Sequence, residues 1–523
     1  MTDDNRRRIL WADDEIDLLR PHIRFLEQKG YAVIPVPSGE DALGELERGR
    51  FDVVLLDEMM PGLGGLGTLD AIKQRTLTVP VILVTKSEEE ALMNEAIGRH
   101  ITDYLIKPVN PSQVFLACKR VLDTGRIEQD QSMRDYVGGM QRWQELDLRR
   151  LDAAGWIDLA VDIARWDVRL DGVSEDGLKQ AHSGFRRGLN IEFGRFVEEH
   201  YPSWVRGGEG RPLLSTDVVE QAVAPHLRAG RRVVFIVIDC MRLDQWFALE
   251  PLLEELFTVQ RDYYCSILPT ATPYSRNAIF SGLTPAGIWK AHPALWQEGV
   301  PSERTRNRYE RELMDLQLER LGIVTEHSPK YAKVYDADEA QQIRRQIPTF
   351  TSVPLVSLVF NFIDILAHGR SESEILQELA PDEAAFRAVM KAWFVHSPLY
   401  DIFRMLSQQD CTVVLTTDHG AVLGRRAALV YGNRETSTNL RYKYGVNLNT
   451  DSKYAITLRH PMEFMLPDDG VNKNYLLARE DFYFVYPTRF HEYERQYRDS
   501  FQHGGVSLEE MVLPLLTLTP RRT

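Results

Sequence analysis

The sequence predicts an α/β protein in three parts. These are a doubly wound parallel sheet over residues 1–124, a helical-bundle spacer over 125–225, and a larger α/β domain over 226–523. Three observations carry this reading. Short Val-, Ile- and Leu-rich runs alternate with amphipathic stretches through the first part, the pattern of a parallel sheet covered by helices. Apolar residues in the second part recur at three- and four-residue spacing. The third part opens on Arg232–Asp239, RVVFIVID, an apolar run bounded by charge, as a strand buried on both faces requires. That run ends on an aspartate, and in open α/β sheets chemistry gathers at the carboxyl ends of such strands.

A chain of 523 residues has room for roughly two to four domains, each with its own core. Hydrophobic residues make up 44 % and charged residues 26 %, as in an ordinary soluble protein. No apolar run approaches the roughly 18 residues of a membrane helix, so no membrane insertion is expected. MTDDNRRRILWADDE lacks the apolar stretch of a signal peptide. Cys118, Cys240, Cys265 and Cys411 are scattered with no CxxC pair, which points to reduced, mostly buried thiols in a cytoplasmic protein. A net charge of −14 argues against a general nucleic-acid coating surface, though not against nucleotides held by metal ions in one pocket.

In the first part, strand-like runs fall at Arg8–Trp11, Tyr31–Val36, Phe51–Leu56, Val79–Val84 and Tyr104–Ile106. Between the first two lies Ile16–Lys29, with Leu18, Leu19, Ile23, Phe25 and Leu26 on one side. Chemistry sits at the strand ends. Asp13 and Asp14 follow the first strand, Asp57 the third, Thr85 the fourth, and Lys107, before Pro108, the fifth. Three carboxylates at one edge would repel unless a hard cation sat among them, and Mg²⁺ suits oxygen ligands. A hydroxyl and an ammonium opposite can hold a phosphoryl group.

This ordered set resembles the receiver domain of two-component response regulators. The resemblance implies Asp57 as phosphoacceptor, Asp13 and Asp14 as the acidic pair, and Mg²⁺ on Asp14, Asp57 and the Met59 carbonyl. It also implies that Thr85 and Lys107 contact the phosphoryl group and that Tyr104 is the switch aromatic. Gly62-x-Gly64-x-x-Gly67 is formally a dinucleotide fingerprint, but it follows the third strand, where a receiver needs a glycine-rich turn.

The middle part has helical periodicity at Met140–Leu151, Trp156–Asp167, Glu175–Leu189 and Ile191–His200. Trp143, Trp156, Trp166 and Trp204 are expected core anchors. Gly207–Gly210, followed by Pro212, marks a loop. The segment has no metal-ligand spacing, no nucleophile and no basic recognition helix, so a spacer or dimer-forming bundle is favoured over DNA reading.

In the last part, a run at Tyr263–Leu268 leads into Pro-Thr-Ala-Thr-Pro and a helix over Tyr274–Phe280. Thr272 thus falls in the turn before a helix N-terminus, where free N–H groups favour an anion, and Thr270 competes for that role. The strand Val353–Phe360 precedes Asn361 and FIDILAHG, in which Asp364 and His368 are four apart on one helical face. That spacing suits a shared metal ion or an ordinary ion pair. Cys411–Thr417 leads directly into Asp418-His419-Gly420, whose glycine lets the chain turn away. His503-Gly504-Gly505 precedes Glu509 and a last strand near Val512–Leu518. His182, His200, His292, His396 and His491 lack such a setting and read as surface or core groups.

Asp239, Thr272, Asp364, His368, Asp418, His419 and His503 together resemble the alkaline phosphatase superfamily. The short D-H-G and H-G-G forms and the PTxTP loop point to its PglZ branch. The resemblance implies two Zn²⁺ ions, one on Asp364, His368 and His503, the other on Asp239, Asp418, His419 and the Thr272 oxygen. It makes Thr272 the catalytic nucleophile, forming a phosphothreonine. Mixed carboxylate and imidazole ligands suit Zn²⁺, with Mn²⁺ the alternative. Receiver, helical spacer and PglZ-type domain in this order resemble PorX-type response regulators, which are associated with type IX secretion. This implies a histidine kinase as phosphate donor and an extracytoplasmic-function sigma factor as a further partner.

A monoesterase usually needs an extra cation, and Arg276 and Asn277 lie near the nucleophile in sequence. The excursion from Thr284 to about Thr349 carries Trp289, Trp296, Arg304, Arg306, Arg308 and Arg311. It reads either as a helical insertion with a solvated face or as a lid for nucleotides. The preferred function is a zinc-dependent phosphodiesterase acting on nucleotides or short oligonucleotides, controlled by Asp57 phosphorylation through homodimerisation, with monoesters second. The alternative is a signalling scaffold that binds a sigma factor or secretion partner when phosphorylated.

Overall fold

The computed structural model describes residues 6–74, 79–86, 101–173, 176–296, 307–432, 439–468, 473–488 and 490–521. The chain divides into two compact units, Met1–Glu145 and Leu146–Thr523.

In the first unit β1 (Arg8–Ala12), β2 (Ala32–Val36), β3 (Val53–Asp57), β4 (Val81–Thr85) and β5 (Asp103–Ile106) form a parallel sheet of order β2-β1-β3-β4-β5. Successive residues of a strand point to opposite faces. Leu10, Val54, Leu56 and Leu83 accordingly enter one core, while Ile9, Trp11, Val53, Leu55 and Ile82 enter the other. Covering on both faces is why β3 and β4 are apolar throughout until their terminal Asp57 and Thr85. The last helix, Pro111–Glu145, runs unbroken for 35 residues and passes the expected boundary at 124. Nothing after Pro111 interrupts it, since no further proline occurs before Glu145. The expected helix Met140–Leu151 is therefore the end of this rod plus a separate turn at Leu148–Arg150, which Asp147 caps.

The second unit begins with the helices Ala153–Arg169 and Asp176–Trp204. The two helices expected at Glu175–Leu189 and Ile191–His200 are one, because Asn190 between them is no breaker; Glu175 lies outside the described residues. Trp143 in the first unit, and Trp156, Trp166 and Trp204 in the second, are buried as expected. A buried ion network ties these helices to the rest of the unit. Arg186 bridges Asp167 at 3.1 Å, Glu509 at 3.2 Å and Glu383. Arg242 joins Glu383 at 2.6 Å to Asp244 at 2.8 Å. Arg387 links Asp244 at 2.5 Å to Asp171.

The central sheet contains β6 (Val233–Ile238), β7 (Phe257–Cys265), β8 (Lys330–Val334), β9 (Leu355–Phe360), β10 (Thr412–Thr416) and, after the short strands, β18 (Val512–Pro520). Its order is β7-β18-β10-β6-β9-β8, and β18 is antiparallel to both its neighbours. All six residues of β6 are buried. The expected run Tyr263–Leu268 covers the end of β7 and the three residues after it; β7 starts at Phe257 and alternates exposed with half-buried residues before its buried last two. The excursion is not purely helical, since it supplies the edge strand β8. Short strands β11 (Val422–Gly424), β12 (Arg426–Leu429), β13 (Tyr442–Val446), β14 (Ala455–Leu458), β15 (Lys473–Ala478), β16 (Phe482–Val485) and β17 (Ser500–Gln502) fill the segment before β18. Among the described residues no helix is long and apolar enough to cross a membrane.

Lys443 on β13 is 3 % exposed, and burial pushes its ammonium down to about 8 from 10.5. Between those pH values the unfolded chain binds a proton that the folded chain does not, so this lysine makes stability rise with pH, by roughly 3 kcal/mol over the window. Urea unfolding from pH 7 to 10.5 isolates this contribution as the difference between the wild type and Lys443→Met, because the buried Cys240 and Cys265 thiols, which burial pushes up, act with the opposite sign in both. Lys443→Met should be more stable at pH 7 and lose this part of the pH dependence. A difference between the two that does not vary with pH would refute the assignment.

Candidate functional site

At the carboxyl edge of the first sheet, Asp13 and Asp57 are buried and Asp14 is exposed, and one oxygen of each lies within 4.8 Å of the others. Lys107 Nζ stands 2.9 Å from Asp13 Oδ2 and 2.9 Å from Asp57 Oδ1. Burial, with help from Asp13 and Asp14, raises the Asp57 pKa against the pull of Lys107. That is the electrostatic state of an acidic site short of positive charge, and a hard cation fits it. The hydroxyl of Thr85 is hydrogen-bonded to the Glu58 carboxylate, the Met59 side chain is turned to solvent, and Tyr104 is 37 % exposed. A Cβ on Gly65 would meet the Asp57 carbonyl oxygen at 2.4 Å, and Gly62 and Gly64 have φ of +85° and +63°. Turn geometry thus accounts for Gly62 and Gly64, and tight approach for Gly65, without a dinucleotide, whereas a Cβ on Gly67 would make only ordinary contact with Leu63.

The second unit gathers the other seven residues. Asp239 follows β6, Asp418 and His419 follow β10, and Asp364 and His368 sit on the helix Phe362–Glu372 that follows β9. Parallel neighbours that end together bring their loops together, which is why residues so far apart in sequence converge. Two clusters form, Asp239/Asp418/His419 and Asp364/His368/His503, each with ligand atoms within 4.8 Å of one another. His419 Nε2 lies 3.6 Å from Asp239 Oδ1 and 3.7 Å from Asp418 Oδ2. Asp364 Oδ1 lies 3.3 Å from His368 Nε2 and 3.8 Å from His503 Nε2. The His419 and His503 rings stack at 4.1 Å and join the clusters. Thr272 Oγ1 is 3.0 Å from His419 Nε2, so both atoms face one point.

One oxygen in each of Asp239 and Asp418 is buried without a hydrogen-bond partner, and the buried Oδ1 of Asp364 has the His368 imidazole at 3.3 Å. Such orphaned carboxylate oxygens are costly unless a cation completes them, and the mixed oxygen and imidazole donor set suits Zn²⁺. At Asp239 the deficit shows in the titration, whereas at Asp364 burial is outweighed by His368 and His503, which hold the carboxyl below the usual carboxylate range. Burial pushes Asp239 up to about 8, Arg276 opposing and Asp418 and Asp364 adding to it. Burial works against a charge on His419, but Asp418, Asp239 and Asp364 outweigh it and raise its pKa. Burial and the neighbouring His419 hold His503 well below the usual imidazole range. His419 Nδ1 faces the Gly420 carbonyl at 3.0 Å, which only accepts, so Nδ1 carries a proton and Nε2 is the atom free to ligate. His368 is 44 % exposed whereas Asp239, Asp418 and His419 are all buried, so the Asp364 cluster is the side open to solvent.

Thr272 is the first residue of the helix Thr272–Ser281 rather than a turn residue before it. That start offers an anion little more than the Thr272 amide, because Pro273 has no N–H and the amides of Tyr274 and Ser275 both donate to the Ala271 carbonyl. Thr270 does not compete with it. Its hydroxyl donates to the Gly505 carbonyl and accepts from Gly504 N, fixing the loop that carries His503. Gly420 is required by contact, not by turning, since a Cβ there would lie 1.9 Å from the Glu509 carbonyl oxygen. Sequence reasoning left Arg276 unplaced. It is buried, with Nη1 2.7 Å from Asp239 Oδ2 and Nε 2.7 Å from Glu310 Oε1.

The excursion reaches the site through residues that carried no motif. Asn307 Nδ2 donates to the Thr272 carbonyl at 3.0 Å, and Glu310 takes Arg276, Tyr331 and Lys333. Only their place beside a candidate ligand could have marked them. Trp296 packs at the core and meets Tyr274 edge-on at 5.7 Å; Arg304 and Arg306 lie outside the described residues.

Three family descriptions match the chain in succession: "Response regulator receiver domain" over residues 9–119, "PorX response regulator linker domain" over 126–205, and "BREX system PglZ alkaline phosphatase-like domain" over 218–518. Among curated proteins, transcriptional regulatory protein ResD of Bacillus subtilis (strain 168) is 33 % identical over 122 residues, 23 % of this chain and 50 % of that protein. Alkaline phosphatase synthesis transcriptional regulatory protein PhoP of the same organism is 32 % identical over 123 residues, again 23 % and 50 %. The chain thus spans about half the length of the curated relatives it matches. Among solved structures, chemotaxis protein CheY4 of Vibrio cholerae is 27 % identical, covering 22 % of this chain and 99 % of that one with a TM-score of 0.22.

Proposed function

Because the chain belongs to the PglZ alkaline-phosphatase-like family and places a response-regulator receiver and a PorX-type linker ahead of that domain, we propose that it is a response regulator whose output is a zinc-dependent phosphodiesterase acting on nucleotides or short oligonucleotides. The observation that carries this is the buried Thr272 hydroxyl facing His419 Nε2 at the meeting of two carboxylate–imidazole clusters, the Asp239 one with orphaned oxygens. When bound, two zinc ions would supply charge neutralisation and Lewis acidity to displacement at phosphorus. Asp364, His368 and His503 would hold one ion; Asp239, Asp418, His419 and the Thr272 oxygen would hold the other.

Thr272 Oγ1 forms the new O–P bond as the bond from phosphorus to the leaving ester oxygen breaks, the hydroxyl proton ending on the departing alcohol. Water then cleaves the phosphothreonyl ester to restore the Thr272 hydroxyl and release the phosphomonoester. Burial keeps bulk water from the threonine, and the Asn307 contact holds the first turn of its helix. Diesters are favoured over monoesters because Arg276, the cation nearest Thr272 in sequence, is engaged by Asp239 and Glu310 and is not offered to a doubly charged phosphate. A histidine kinase would phosphorylate Asp57 with Mg²⁺ at Asp14, Asp57 and the Met59 carbonyl, and phosphorylation would act through homodimerisation. The PorX-type linker supports a link to type IX secretion and to a sigma-factor partner.

The test is metal content with hydrolysis on the same preparations. About two zinc ions per chain, removed by a chelator together with cleavage of a chromogenic phosphodiester, and slower cleavage of the monoester, are expected. Beryllofluoride should change rate or oligomeric state in the wild type and not in Asp57→Asn. Zinc without turnover of either ester would overturn the enzyme reading in favour of a scaffold.

A further inference from the structure

Arg276 stands where a cation is least expected, beside residues arranged to take metal. Its Nη1 is 2.7 Å from Asp239 Oδ2, 3.4 Å from Asn361 Oδ1 and 3.7 Å from Asp418 Oδ2. A guanidinium free to swing toward both carboxylates would compete with a divalent ion for them. It is not free. Nε is held at 2.7 Å by Glu310 Oε1, and Glu310 is itself wholly buried. The second oxygen of Glu310 accepts from the Tyr331 hydroxyl and lies 3.2 Å from Lys333 Nζ. Pulled from behind in this way, Arg276 takes one oxygen of Asp239 and leaves Asp239 Oδ1 and Asp418 Oδ2 without hydrogen bonds. Those are the two oxygens that face His419 Nε2, at 3.6 and 3.7 Å.

We propose that Glu310 and Arg276 are a positioning pair for the Asp239/Asp418/His419 cluster, with Glu310 anchoring the guanidinium so that it fixes which carboxylate oxygens face the metal. This rests on the reading of that cluster as a metal site. The excursion between Thr284 and Thr349 then acts as a wall of the site's interior: Glu310 opens the helix Glu310–Arg320, while Tyr331 and Lys333 lie on β8. Partners of this kind change metal affinity without touching the ion. Loss of the Glu310 charge acts twice in one direction, since the ligand loses its orientation and Arg276 is released toward both carboxylates.

The test is zinc titration of chelator-stripped protein against a competing chromophoric chelator, which separates the two sites. Wild type should take two ions. Glu310→Gln should keep one site unchanged and weaken the other about 10- to 100-fold, with the far-ultraviolet circular dichroism unaltered. Tyr331→Phe removes one hydrogen bond and no charge, and should weaken the same site by about fivefold. If Glu310→Gln does not fold, Tyr331→Phe decides. Two wild-type affinities in either folded variant overturn the positioning pair and leave the metal reading intact, whereas a wild type that takes up no zinc overturns both.

Discussion

Thr272→Ala should lower phosphodiester hydrolysis by about three orders of magnitude or more while the protein still binds two zinc ions. The substitution removes the hydroxyl and the γ-methyl, and each cluster keeps its three carboxylate and imidazole donors. Thr272→Ser keeps an oxygen on the same Cβ and should retain activity within about tenfold of wild type. The two variants separate a nucleophile from a packing residue, because serine and alanine both lose the buried methyl group. Steady-state rates on a chromogenic diester, with zinc measured on the same samples, make the comparison. Equal activity in wild type and Thr272→Ala would remove Thr272 from the reaction.

Glu510→Ala should cost about 3–5 kcal/mol of stability by leaving a buried charge without its partner. Arg441 and Glu510 are both fully buried and meet at 2.5 Å. The carboxylate also accepts from Gly505 N at 2.9 Å and from the Ser507 hydroxyl at 2.8 Å, so it sets the glycine pair behind His503. With Glu510 gone, Arg441 has only backbone carbonyls, those of Arg479 and Phe482. For a unit of this size the loss corresponds to roughly 5 °C in unfolding midpoint, readable by thermal denaturation. Arg441→Met together with Glu510→Met should recover much of it, since replacing both members of a buried pair removes the stranded charge. A double variant no more stable than the single one would show that the pair acts through more than charge balance.

Much of the fold was legible because buried strands of a parallel sheet are apolar throughout, and their ends carry the chemistry. β3, β4, β6, β9 and β10 all read this way. β7 and β8 did not, being edge strands whose alternating or mixed residues resemble loop or helix. Helix boundaries failed where nothing in the sequence breaks a helix, as between Pro111 and Glu145 and across Asn190. In the candidate site, the residues the motifs named do converge on the two clusters. Asn307, Glu310 and Glu510 stayed invisible, and Arg276 was seen near the nucleophile but without its partners, because their roles depend on which neighbour the fold brings near, and no spacing encodes that. Gly420 was visible for the wrong reason, being fixed by the Glu509 carbonyl across the loop rather than by its own turn.

The ion network of Arg186, Arg242 and Arg387 has a consequence for descent. Its acids come from the linker helices, at Asp167 and Asp171, and from the segment around the sheet, at Asp244, Glu383 and Glu509. Replacing any one strands a buried charge, so single substitutions at these positions are closed steps, and the set must be inherited or exchanged together. Gene fusion can join a receiver to many outputs, but trading this linker segment for another removes Asp167, Asp171 and Arg186 together and leaves Glu509, Glu383 and Arg387 each short of a partner. The natural joint for recombination is therefore Glu145–Leu146, where the two compact units meet in sequence.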